Sequence, residues 1–483
     1  MKSTLEKSLN LIVFGISLLA CLSLIIMTYA LHFIPAKYLL VLACAMAILL
    51  AIEALLIFYK KPKSKRSIIT SVISVILSVC MFVASGYVYQ IGRVVDLLAE
   101  ETFEQRAISL VVLKDSSISN KNVLGGQNVG YISFIDEDTM KYAMDTINSE
   151  IENMTYTDYK DFTTLIDALY NNEVDCILID EAFRSLITDV KETFGDETRV
   201  VYQVTKQEGS VQANNVDVTT KPFLIFVSGN DEWGPISAVS RSDVNMLVGV
   251  NPNTKQIFML SIPRDTYYPL NRNGQYDKFT HAGIYGLNES IKTLQNIVDE
   301  KIHYYGKMNF TSFVNIIDAL GGITIDSPHE FTTKIGGYKI NKGINHLTGK
   351  QALWFVRERK SFINGDFERG KNQQRMIKAV VEKICSPAIL TSFASILEIV
   401  GQSVDTNMTQ QEMNALVQMQ LTEMPSWDFV TYQITGTPAF RTVYSMGDTE
   451  VSVTIPNQSS IKQARQYIDD FMDGKVIEID DGI

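Results

Sequence analysis

Three long apolar segments at the start of the chain constrain its fold more than any other feature of the sequence. They cover residues 9–31, 38–59 and 68–91. Each holds the roughly 20 apolar residues that a helix needs to cross a lipid bilayer. Because two further segments follow the first, the first is not a cleavable signal peptide. Residues 1–92 are therefore predicted to be a membrane region with three transmembrane helices.

The basic residues between these segments predict the orientation of the helices. Residues 60–66 include five lysines and arginines, whereas residues 32–37 include only Lys37. Loops rich in lysine and arginine stay in the cytoplasm, so the N-terminus is expected inside the cell and the chain after residue 91 outside it. Glu53 lies inside the second segment, where a charge is costly. It is protonated, paired with another helix, or close enough to the boundary to reach water.

Charge and cysteine content narrow the function classes. The net charge of -11 argues against a nucleic-acid-binding protein, because such proteins need a basic face to displace counterions from phosphates. Only Cys176 and Cys385 lie outside the apolar segments, which predicts neither a disulfide framework nor a thiolate metal site. A single bridge between them is the alternative to two buried thiols. The chain has 483 residues, so two or more units are expected beyond the membrane region.

Strands and helices alternate after the membrane region and a charged, helix-compatible stalk at residues 93–106. The predicted order is strand 108–113, strand 129–134, helix 137–151, strand 155–159, helix 162–171, strand 174–179, helix 181–194 and strand 199–204. This alternation predicts a parallel or mixed sheet covered by helices. Residues 107–217 are therefore interpreted as an accessory α/β domain. Its pattern is similar to one lobe of a periplasmic binding protein, but a spacer or interaction module is the alternative.

Ionic residues gather around one predicted strand in the following domain. The apolar run 258–262 predicts a buried strand, and Pro263 ends it because proline cannot donate to a sheet ladder. Arg264 and Asp265 should therefore lie at the edge of the sheet. Similar groups occur nearby in sequence: Arg241, Asp243, Asp277, Lys278, His281, Arg357, Arg359, Asp366 and Arg369. Because open α/β sheets bind ligands at strand ends, these residues predict a site for a phosphorylated ligand and a metal.

Helical spacing places several of these residues relative to one another. Residues 287–300 and 309–320 are predicted helices, and the second has an apolar stripe that is typical of a core-facing helix. A capping box of Thr348 and Gln351 predicts the start of another helix. Arg357 and Arg359 fall at its end, where they can both reach one ligand only if the helix frays. Helix 366 onward places Arg369 and Gln373 on one face, because they are four residues apart.

Eight motifs occur in the order found in the LytR-CpsA-Psr family, over residues 221–384. They are Gly229-x-Asp231, Arg241-Ser242-Asp243, Ser261-Ile262-Pro263-Arg264-Asp265, Asp277-Lys278-x-x-His281-Ala282, Asp318-Ala319-Leu320-Gly321-Gly322, Leu347-x-Gly349-x-Gln351-Ala352-Leu353, Arg357-x-Arg359 and Gly365-Asp366-x-x-Arg369-x-x-x-Gln373-Gln374. The chain resembles this family. The three apolar segments and the α/β unit before the motifs resemble the CpsA-type subgroup that is associated with capsule biosynthesis.

The resemblance implies a fold and an activity. Residues 221–483 should form an α-β-α sandwich, with core motifs at 229–375 and a narrow apolar channel for a polyprenyl tail. The implied activity is that of a phosphotransferase on the outer face of a Gram-positive cell membrane. It would move a capsular or similar glycopolymer from a polyprenyl-pyrophosphate carrier to a peptidoglycan hydroxyl, forming a phosphodiester. Partners would be the lipid-linked polysaccharide, peptidoglycan, the membrane and capsule assembly proteins, but no nucleic acid.

The resemblance also implies roles for individual residues. Asp231 and Asp243 would be Mg²⁺ ligands, since hard cations prefer carboxylate oxygens. The remaining expected roles are pyrophosphate binding by Arg264, Arg357, Arg359 and Arg369, assistance by Arg241, Lys278 and Gln373, orientation of an arginine by Asp265, positioning of Arg369 or of the acceptor by Asp366, and a channel wall of Phe310, Phe313 and Ile317. The general base is left open among the carboxylates at the metal.

Two positions depart from the family pattern. Many members have an arginine where this chain has Glu232-Trp233, and others have one where Asn372 stands. Either change should weaken pyrophosphate binding or mark a different acceptor. The alternatives to a transferase are a non-catalytic polyprenyl-phosphate carrier or assembly factor and a lipid pyrophosphatase. A transcriptional regulator is disfavoured by the expected orientation and the acidic charge.

Overall fold

The structure is a computed structural model, and it describes residues 2–30, 34–58, 65–98, 103–209, 211–234, 236–386 and 399–479. The chain packs as two compact units. The first unit contains Met1–Glu100, Cys385–Gln402 and Thr409–Ser426, and the second unit contains Glu101–Ile384, Ser403–Met408 and Trp427–Ile483. The segments after residue 384 in the first unit were assigned to the catalytic domain by the sequence analysis.

Helices are labelled α1 to α14 in chain order: α1 Lys2–Ala30, α2 Ala36–Phe58, α3 Lys65–Leu98, α4 Glu137–Glu150, α5 Phe162–Tyr170, α6 Arg184–Val190, α7 Phe194–Glu197, α8 Phe279–Ala282, α9 Leu287–Val298, α10 Phe310–Ala319, α11 Gly349–Arg357, α12 Asp366–Ile384, α13 Gln410–Glu423 and α14 Gln458–Met472. Short 3₁₀ turns occur at Lys121–Val123, Glu181–Phe183, Gly283–Tyr285 and Tyr444–Met446.

Strands are labelled in the same way: β1 Gln105–Leu113, β2 Asn128–Tyr131, β3 Thr155–Asp158, β4 Cys176–Asp180, β5 Thr198–Gln207, β6 Phe223–Asn230, β7 Ser242–Asn251, β8 Gln256–Ser261, β9 Tyr267–Pro269, β10 Tyr276–Lys278, β11 Tyr304–Met308, β12 Ile323–Ser327, β13 Phe331–Thr332, β14 Lys339–Ile340, β15 Gly343–Leu347, β16 Asp405–Thr406, β17 Asp428–Gln433, β18 Gly436–Thr442 and β19 Glu450–Pro456.

The first unit contains three helices that are long and apolar enough to cross a membrane, within α1, α2 and α3. Glu53 of α2 is buried and accepts a hydrogen bond of 2.9 Å from Ser17 Oγ of α1. Ser17 Oγ also lies 3.0 Å from Ser78 Oγ of α3. Of the three explanations for Glu53, the structure therefore supports pairing with another helix. Most of the basic loop at 60–66 falls outside the described residues, so the orientation of the helices stays a prediction.

The accessory part of the second unit contains a five-stranded mixed sheet in the order β3-β2-β4-β1-β5. Strand β2 is parallel to β3 and β4, whereas β1 is antiparallel to β4 and β5. The mixed sheet is confirmed, with one difference in its helices. The helix predicted at 181–194 is interrupted, because Lys191 is extended and caps α6. Both cysteines outside the apolar segments, Cys176 and Cys385, are free.

The rest of the second unit contains β6 to β19 and is called the catalytic part after its expected role. It is built on a six-stranded mixed sheet in the order β16-β11-β6-β7-β8-β17. Side chains of β6, β7 and β8 alternate between the two faces, as the period of a strand requires. Leu247 and Phe258 face a core that includes residues of α9 and α14. Met246 and Met259 face the opposite core, against Ile377 of α12. The sheet therefore lies between two helical layers, and the α-β-α sandwich is confirmed.

A buried amide holds α12 against the sheet. Gln374 Nε2 donates to the carbonyl oxygens of Met259 at 3.1 Å and Tyr432 at 2.9 Å. These carbonyls belong to the parallel strands β8 and β17, which pair from Gln256↔Asp428 onward. The contact holds the middle of α12 against the sheet, and the preceding turns of this helix carry several site residues.

The accessory and catalytic parts share one hydrophobic core. Phe183, which follows β4, packs edge-on against Tyr285 with ring centroids 5.6 Å apart. The adjacent Ile284 is fully buried in the same cluster. Arg106 Nη2 of β1 donates to the Ile284 carbonyl at 2.8 Å, and Gln105 N donates to the Ser237 carbonyl at 2.9 Å. The accessory sheet is therefore attached to the catalytic part through both apolar packing and hydrogen bonds.

Candidate functional site

Three strand ends bring the predicted acidic and basic residues to one edge of the six-stranded sheet. Asp231 directly follows β6, Asp243 is the second residue of β7, and Arg264 comes three residues after β8. Because β7 is antiparallel to both β6 and β8, the end of each outer strand lies beside the start of β7. The sequence prediction that Arg264 lies at this edge follows from the same geometry.

Asp243 lies between two arginines. It forms an ion pair with Arg264, and its Oδ2 lies 3.8 Å from Arg369 Nη1. Arg369 also pairs with Asp366, one turn earlier in α12. All four side chains are at most about a fifth exposed. The first turn of α12 therefore delivers both an acid and a base to the strand ends.

Asp231 forms a second pair of contacts beside the first. Its Oδ1 lies 3.2 Å from Arg357 Nη2, and its Oδ2 lies 4.0 Å from Arg241 Nη2. The Arg357 guanidinium also sits 4.1 Å from the centre of the Phe310 ring and 5.5 Å from that of Trp354. Such a cation–π contact orients the guanidinium. Arg357 is the last residue of α11, and this position lets its side chain reach Asp231.

Lys278 and Asp265 extend the cluster. Lys278 Nζ lies 3.2 Å from Asp265 Oδ1, and the same oxygen lies 3.8 Å from Arg264 Nε. Asp265 therefore pairs with Lys278 and lies near Arg264, and its role in orienting an arginine stays a prediction.

The environment shifts the pKa values of Asp231 and Asp243 in opposite directions. Burial, then repulsion by Asp243, raises the pKa of Asp231 against the attraction of Arg357 and Arg241. Burial also opposes ionisation of Asp243, but Arg264, Arg369 and the other nearby arginines outweigh it and lower its pKa. Asp243 is therefore the firmly ionised member of this pair.

Two buried donor atoms of the cluster, Arg241 Nε and Arg264 Nε, lack a hydrogen-bond partner among the described residues. Buried polar atoms are normally hydrogen-bonded, so unsatisfied ones need an explanation. These two free N–H donors belong to arginines next to strand ends and are suited to an anionic ligand.

A cavity of about 90 Å³ opens at this cluster. Its charged and polar lining consists of Asn230, Asp243, Asn309, Arg357, Arg369 and Gln373. The remaining lining is almost entirely apolar, with Val227, Gly229, Val244, Met308, Phe310, Phe313, Leu353, Val356, Met376 and Ile377. The cavity thus joins an apolar interior to an ionic end. That an apolar channel for a lipid tail continues from it stays a prediction.

Asp231 and Asp243 fit the requirements of a hard divalent cation. In the described parts of the chain, no three His, Cys, Asp or Glu side chains converge as a metal site. Mg²⁺, however, often takes only one or two carboxylates and completes its shell with water and phosphate oxygens. The two carboxylates are close enough to repel one another, and a bound cation would relieve that repulsion. The donor set is therefore suitable for Mg²⁺ together with a phosphorylated ligand.

Two expected site residues neither line the cavity nor form an ion pair with a described side chain of the cluster. Arg359 is exposed, but it lies close enough to Asp366 to oppose the rise in the pKa of that carboxyl group, which burial causes. Ile317 is fully buried but does not line the cavity, unlike Phe310 and Phe313 of the same helix. Gln373 does line it, and its Nε2 donates to the Val356 carbonyl at 3.4 Å.

The two departures from the family pattern differ in their position. Asn372 is buried and accepts a hydrogen bond of 2.7 Å from Arg375, so it faces away from the ionic cluster. Glu232 lies beside the cluster, where burial and then Asp231 raise its pKa, while Lys307 and Arg241 oppose the shift. The change at Glu232 is therefore the one that alters the charge next to the site.

The Asp277-to-His281 motif forms a buried network and not a catalytic triad. His281 Nδ1 lies 2.7 Å from Asp277 Oδ1 and 2.8 Å from Ser445 Oγ, so both partners share one ring nitrogen. Ser445 is fully buried, and its N–H donates to Asp277 Oδ2 at 2.8 Å. Burial lowers the pKa of His281 although Asp277 opposes the shift. The network joins α8 to the C-terminal segment, and the sequence gives no sign of Ser445.

A site residue from a helix of the accessory part was also missed. Asp189 of α6 accepts a hydrogen bond of 2.9 Å from Arg241 Nη1. Residue spacing cannot reveal this contact, because it depends on how the accessory sheet packs against the catalytic part.

Comparison with known proteins gives a family match. The model of the LytR_cpsA_psr family matches residues 185–466, which is more than half of the chain. The match begins before residue 221, where the sequence motifs begin, and therefore includes most of α6.

Named relatives come from species of Bacillus. One from Bacillus mycoides, a polyisoprenyl-teichoic acid–peptidoglycan teichoic acid transferase TagU, is 35% identical over 219 residues, 45% of this chain and 70% of the relative. TagU of Bacillus anthracis is 37% identical over 195 residues, 40% of this chain and only 63% of the relative, less than two thirds of its length. The crystal structure of B. subtilis TagV is 28% identical, with a TM-score of 0.45 over 53% of this chain and 99% of that one.

Proposed function

Because the chain belongs to the LytR-CpsA-Psr family, we propose that it is a membrane-anchored phosphotransferase. It moves a glycopolymer from a polyprenyl-pyrophosphate carrier to a hydroxyl group of peptidoglycan and leaves a phosphodiester between them. The relatives are named for the transfer of teichoic acid to peptidoglycan. For this chain, we propose a capsular polysaccharide or a similar glycopolymer.

The observation that carries this proposal is the cavity that joins an apolar interior to an ionic end. A polyprenyl pyrophosphate has the same two parts, since a long apolar tail ends in a dense negative charge. Phe313, Val356 and Met376 suit the tail, while Arg357 and Arg369 lie at the end that suits the pyrophosphate. A cavity of about 90 Å³ must widen to take more of the chain, because engineered cavities of about 150 Å³ bind only a benzene-sized molecule.

The arginines act on the charge of the reacting phosphates. In the proposed step, the acceptor oxygen attacks the phosphorus that carries the polymer, and the bond from that phosphorus to the polyprenyl phosphate breaks. A carboxylate of the site takes up the acceptor proton, and polyprenyl phosphate departs with the electron pair of the broken bond. Arg264 and Arg369 are fixed by Asp243, so they need little reorganisation to hold the phosphate oxygens. Arg357, held over Phe310, can provide bidentate contacts from the other side.

We include Mg²⁺ in the proposal, with Asp231 and Asp243 as its ligands. The arginines of the cluster each already face a carboxylate, so a pyrophosphate adds net negative charge to a nearly neutral site. A bound Mg²⁺ would neutralise part of this charge and polarise a phosphoryl oxygen.

We further propose that the three apolar helices anchor the chain in a membrane, with the N-terminus in the cytoplasm and the catalytic part outside. The basic residues at 60–66 support this orientation. Peptidoglycan and the polymer would then meet at the outer surface.

The test is a transfer assay with the full chain in detergent. A lipid-linked pyrophosphate oligosaccharide, peptidoglycan fragments and Mg²⁺ are supplied, and phosphodiester-linked product is measured by mass spectrometry. Arg264→Ala should abolish the product, and Arg264→Lys tests whether charge alone is enough. Arg441→Ala is the matched control, because Arg441 is exposed and its side chain bonds, among the described residues, only to the neighbouring Phe440 carbonyl.

The outcomes separate the alternatives. Product from the wild type and the Arg441→Ala variant, with none from Arg264→Ala or after chelation of Mg²⁺, supports the proposal. Free phosphate without a sugar phosphodiester identifies a pyrophosphatase. Binding of the lipid without any turnover across several acceptors identifies a carrier, and the transferase proposal then fails.

A further inference from the structure

Helix α6 of the accessory part places the Asp189 carboxylate at the ionic cluster. Asp189, near the end of α6, pairs with Arg241, and the distance from Oδ2 to Nη1 is 2.9 Å. Arg241 stands two residues before Asp243 and faces Asp231 as well. The accessory part therefore contacts the charged site through an ion pair. This pair includes Arg241, an expected ligand-binding arginine.

The packing around α6 fixes this carboxylate in place. Leu186 and Ile187 of α6 are almost fully buried in the same core as Ile284 and Met446 of the catalytic part. The preceding Phe183 contacts Tyr285. Asp189 itself is 56% exposed, but its backbone belongs to a helix that cannot shift without opening this core.

Two carboxylates, those of Asp189 and Asp231, lie close enough to pair with Arg241. Its side chain is 14% exposed, so leaving it unpaired would be costly. Nη1 contacts Asp189 at 2.9 Å, whereas Nη2 is 4.0 Å from Asp231. Asp231 is itself engaged by Arg357 at 3.2 Å. If Asp189 were absent, Asp231 would be the nearest remaining partner for Arg241.

We propose that Asp189 is a positioning residue of the site: it holds the Arg241 guanidinium away from Asp231, so that the remaining N–H donors face the pyrophosphate. This inference rests on the proposed function, because it takes a pyrophosphate as the ligand. The free Nε of Arg241 supports it, since that buried donor has no hydrogen-bond partner among the described residues. With Nη1 occupied by Asp189, Nε and Nη2 stay available to the ligand.

The proposal and simple electrostatics predict opposite changes in anion affinity when Asp189 is removed. Removing a negative charge near an anion site should tighten anion binding if Asp189 acts only through its charge. If Asp189 positions Arg241, its removal lets Arg241 turn to Asp231, and anion binding becomes weaker. The direction of the change therefore distinguishes the two roles.

The experiment measures binding of farnesyl pyrophosphate and of inorganic pyrophosphate to the full chain in detergent by calorimetry. Asp189→Asn should weaken binding of both about two- to fivefold, the range for a half-exposed ion pair. Asp189→Glu should recover part of the affinity. Glu192→Gln is the matched control, because Glu192 is exposed, lies three residues away and pairs with no described side chain. It should bind like the wild type.

A double-mutant cycle tests whether the effect passes through Arg241. In an Arg241→Ala background, Asp189→Asn should change the affinity no further. Equal or tighter binding by Asp189→Asn, or the same loss without Arg241, overturns the proposal. The transfer assay can fail while these affinities still rank as expected, which would reject the transferase and keep the positioning role. If the wild type binds neither pyrophosphate, both proposals fall.

Discussion

The ion pair of Glu104 and Lys307 offers a quantitative test of how the second unit is held together. Lys307 lies on β11, next to the cavity residue Met308, and its side chain is only 2% exposed. Its Nζ donates to Glu104 Oε1 at 2.6 Å and to the Ala238 carbonyl at 3.1 Å. Glu104 Oε2 accepts a hydrogen bond of 2.8 Å from the N–H of Leu287 at the start of α9. The Glu104 carboxylate thus accepts hydrogen bonds from two elements, β11 and α9.

Replacing Glu104 by glutamine should be costly. The amide has one acceptor oxygen, so it can serve Lys307 or Leu287 but not both. Loss of one partner of a buried ion pair costs about 3–5 kcal/mol. Because Lys307 keeps the Ala238 carbonyl, we expect a value at the lower end, about 3 kcal/mol. Lys307→Met removes the buried cation and should cost only about 1 kcal/mol, since apolar replacements of buried ions are often well tolerated.

The assay is urea unfolding of the full chain in detergent, followed by tryptophan fluorescence. All 3 tryptophans belong to the second unit, so the signal reports on that unit alone. In the Lys307→Met background, Glu104→Gln should cost less than about 1 kcal/mol, because no buried charge is left unpaired. If the two single costs simply add in the double variant, or if Glu104→Gln behaves like the wild type, the pair does not have the buried role described here.

Three further predictions follow from single positions. Gly349→Ala should destabilise the second unit by about 2–3 kcal/mol through overpacking, because its Cβ would lie 2.4 Å from the Val314 carbonyl oxygen, whereas Gly195→Ala meets no atom within 4 Å; equal urea midpoints would contradict this. Val227→Trp should fill the cavity and weaken farnesyl pyrophosphate binding about tenfold by excluding the apolar tail, while binding of inorganic pyrophosphate stays constant; calorimetry would refute it if both changed together. For His281, burial lowers the pKa in the folded state below its ordinary value of 6.5, so the unfolded state takes up its proton first as the pH falls. Stability should therefore be complete above about pH 6.5 and fall below it by up to about 1.4 kcal/mol per pH unit; His281→Asn should lose this part of the slope in urea unfolding at pH 7.5 and 5.5, and an unchanged slope would exclude His281 as its source.

Local patterns in the sequence were enough to predict the elements that carry the site. Strand β8 ends at Ser261, shortly before Pro263, as expected. The capping box of Thr348 and Gln351 is present at the start of α11. Each of these features depends on residues close together in the chain. Their placement follows from turn, cap and strand chemistry without knowledge of the rest of the fold.

Contacts between distant segments could not be predicted in this way. Arg357 and Arg359 look equivalent in sequence, but of the two only Arg357 pairs with Asp231 and lines the cavity, because α11 ends at Arg357. Asp189 reaches Arg241 only because the accessory core packs against the catalytic part. The position of Asn372 was accessible in principle, since its partner Arg375 is three residues later on the same helix. Helical spacing alone, however, does not show which side of α12 faces the ionic cluster, so it could not exclude Asn372 from the site.

The pairing of β8 with β17 has a consequence for how the chain reaches its folded state. Gln256 and Asp428, which pair at the start of these strands, are 172 residues apart in sequence. Contacts at such separations form slowly, because the loop must close before they stabilise the chain. During synthesis, β8 and Arg264 emerge long before their neighbouring strand and before the Ser445 that completes the His281 network. The accessory sheet has all its strands within Gln105–Gln207 and can form early. The catalytic edge can be completed only after nearly the whole chain has emerged, so a truncated product would carry the arginines without a working site.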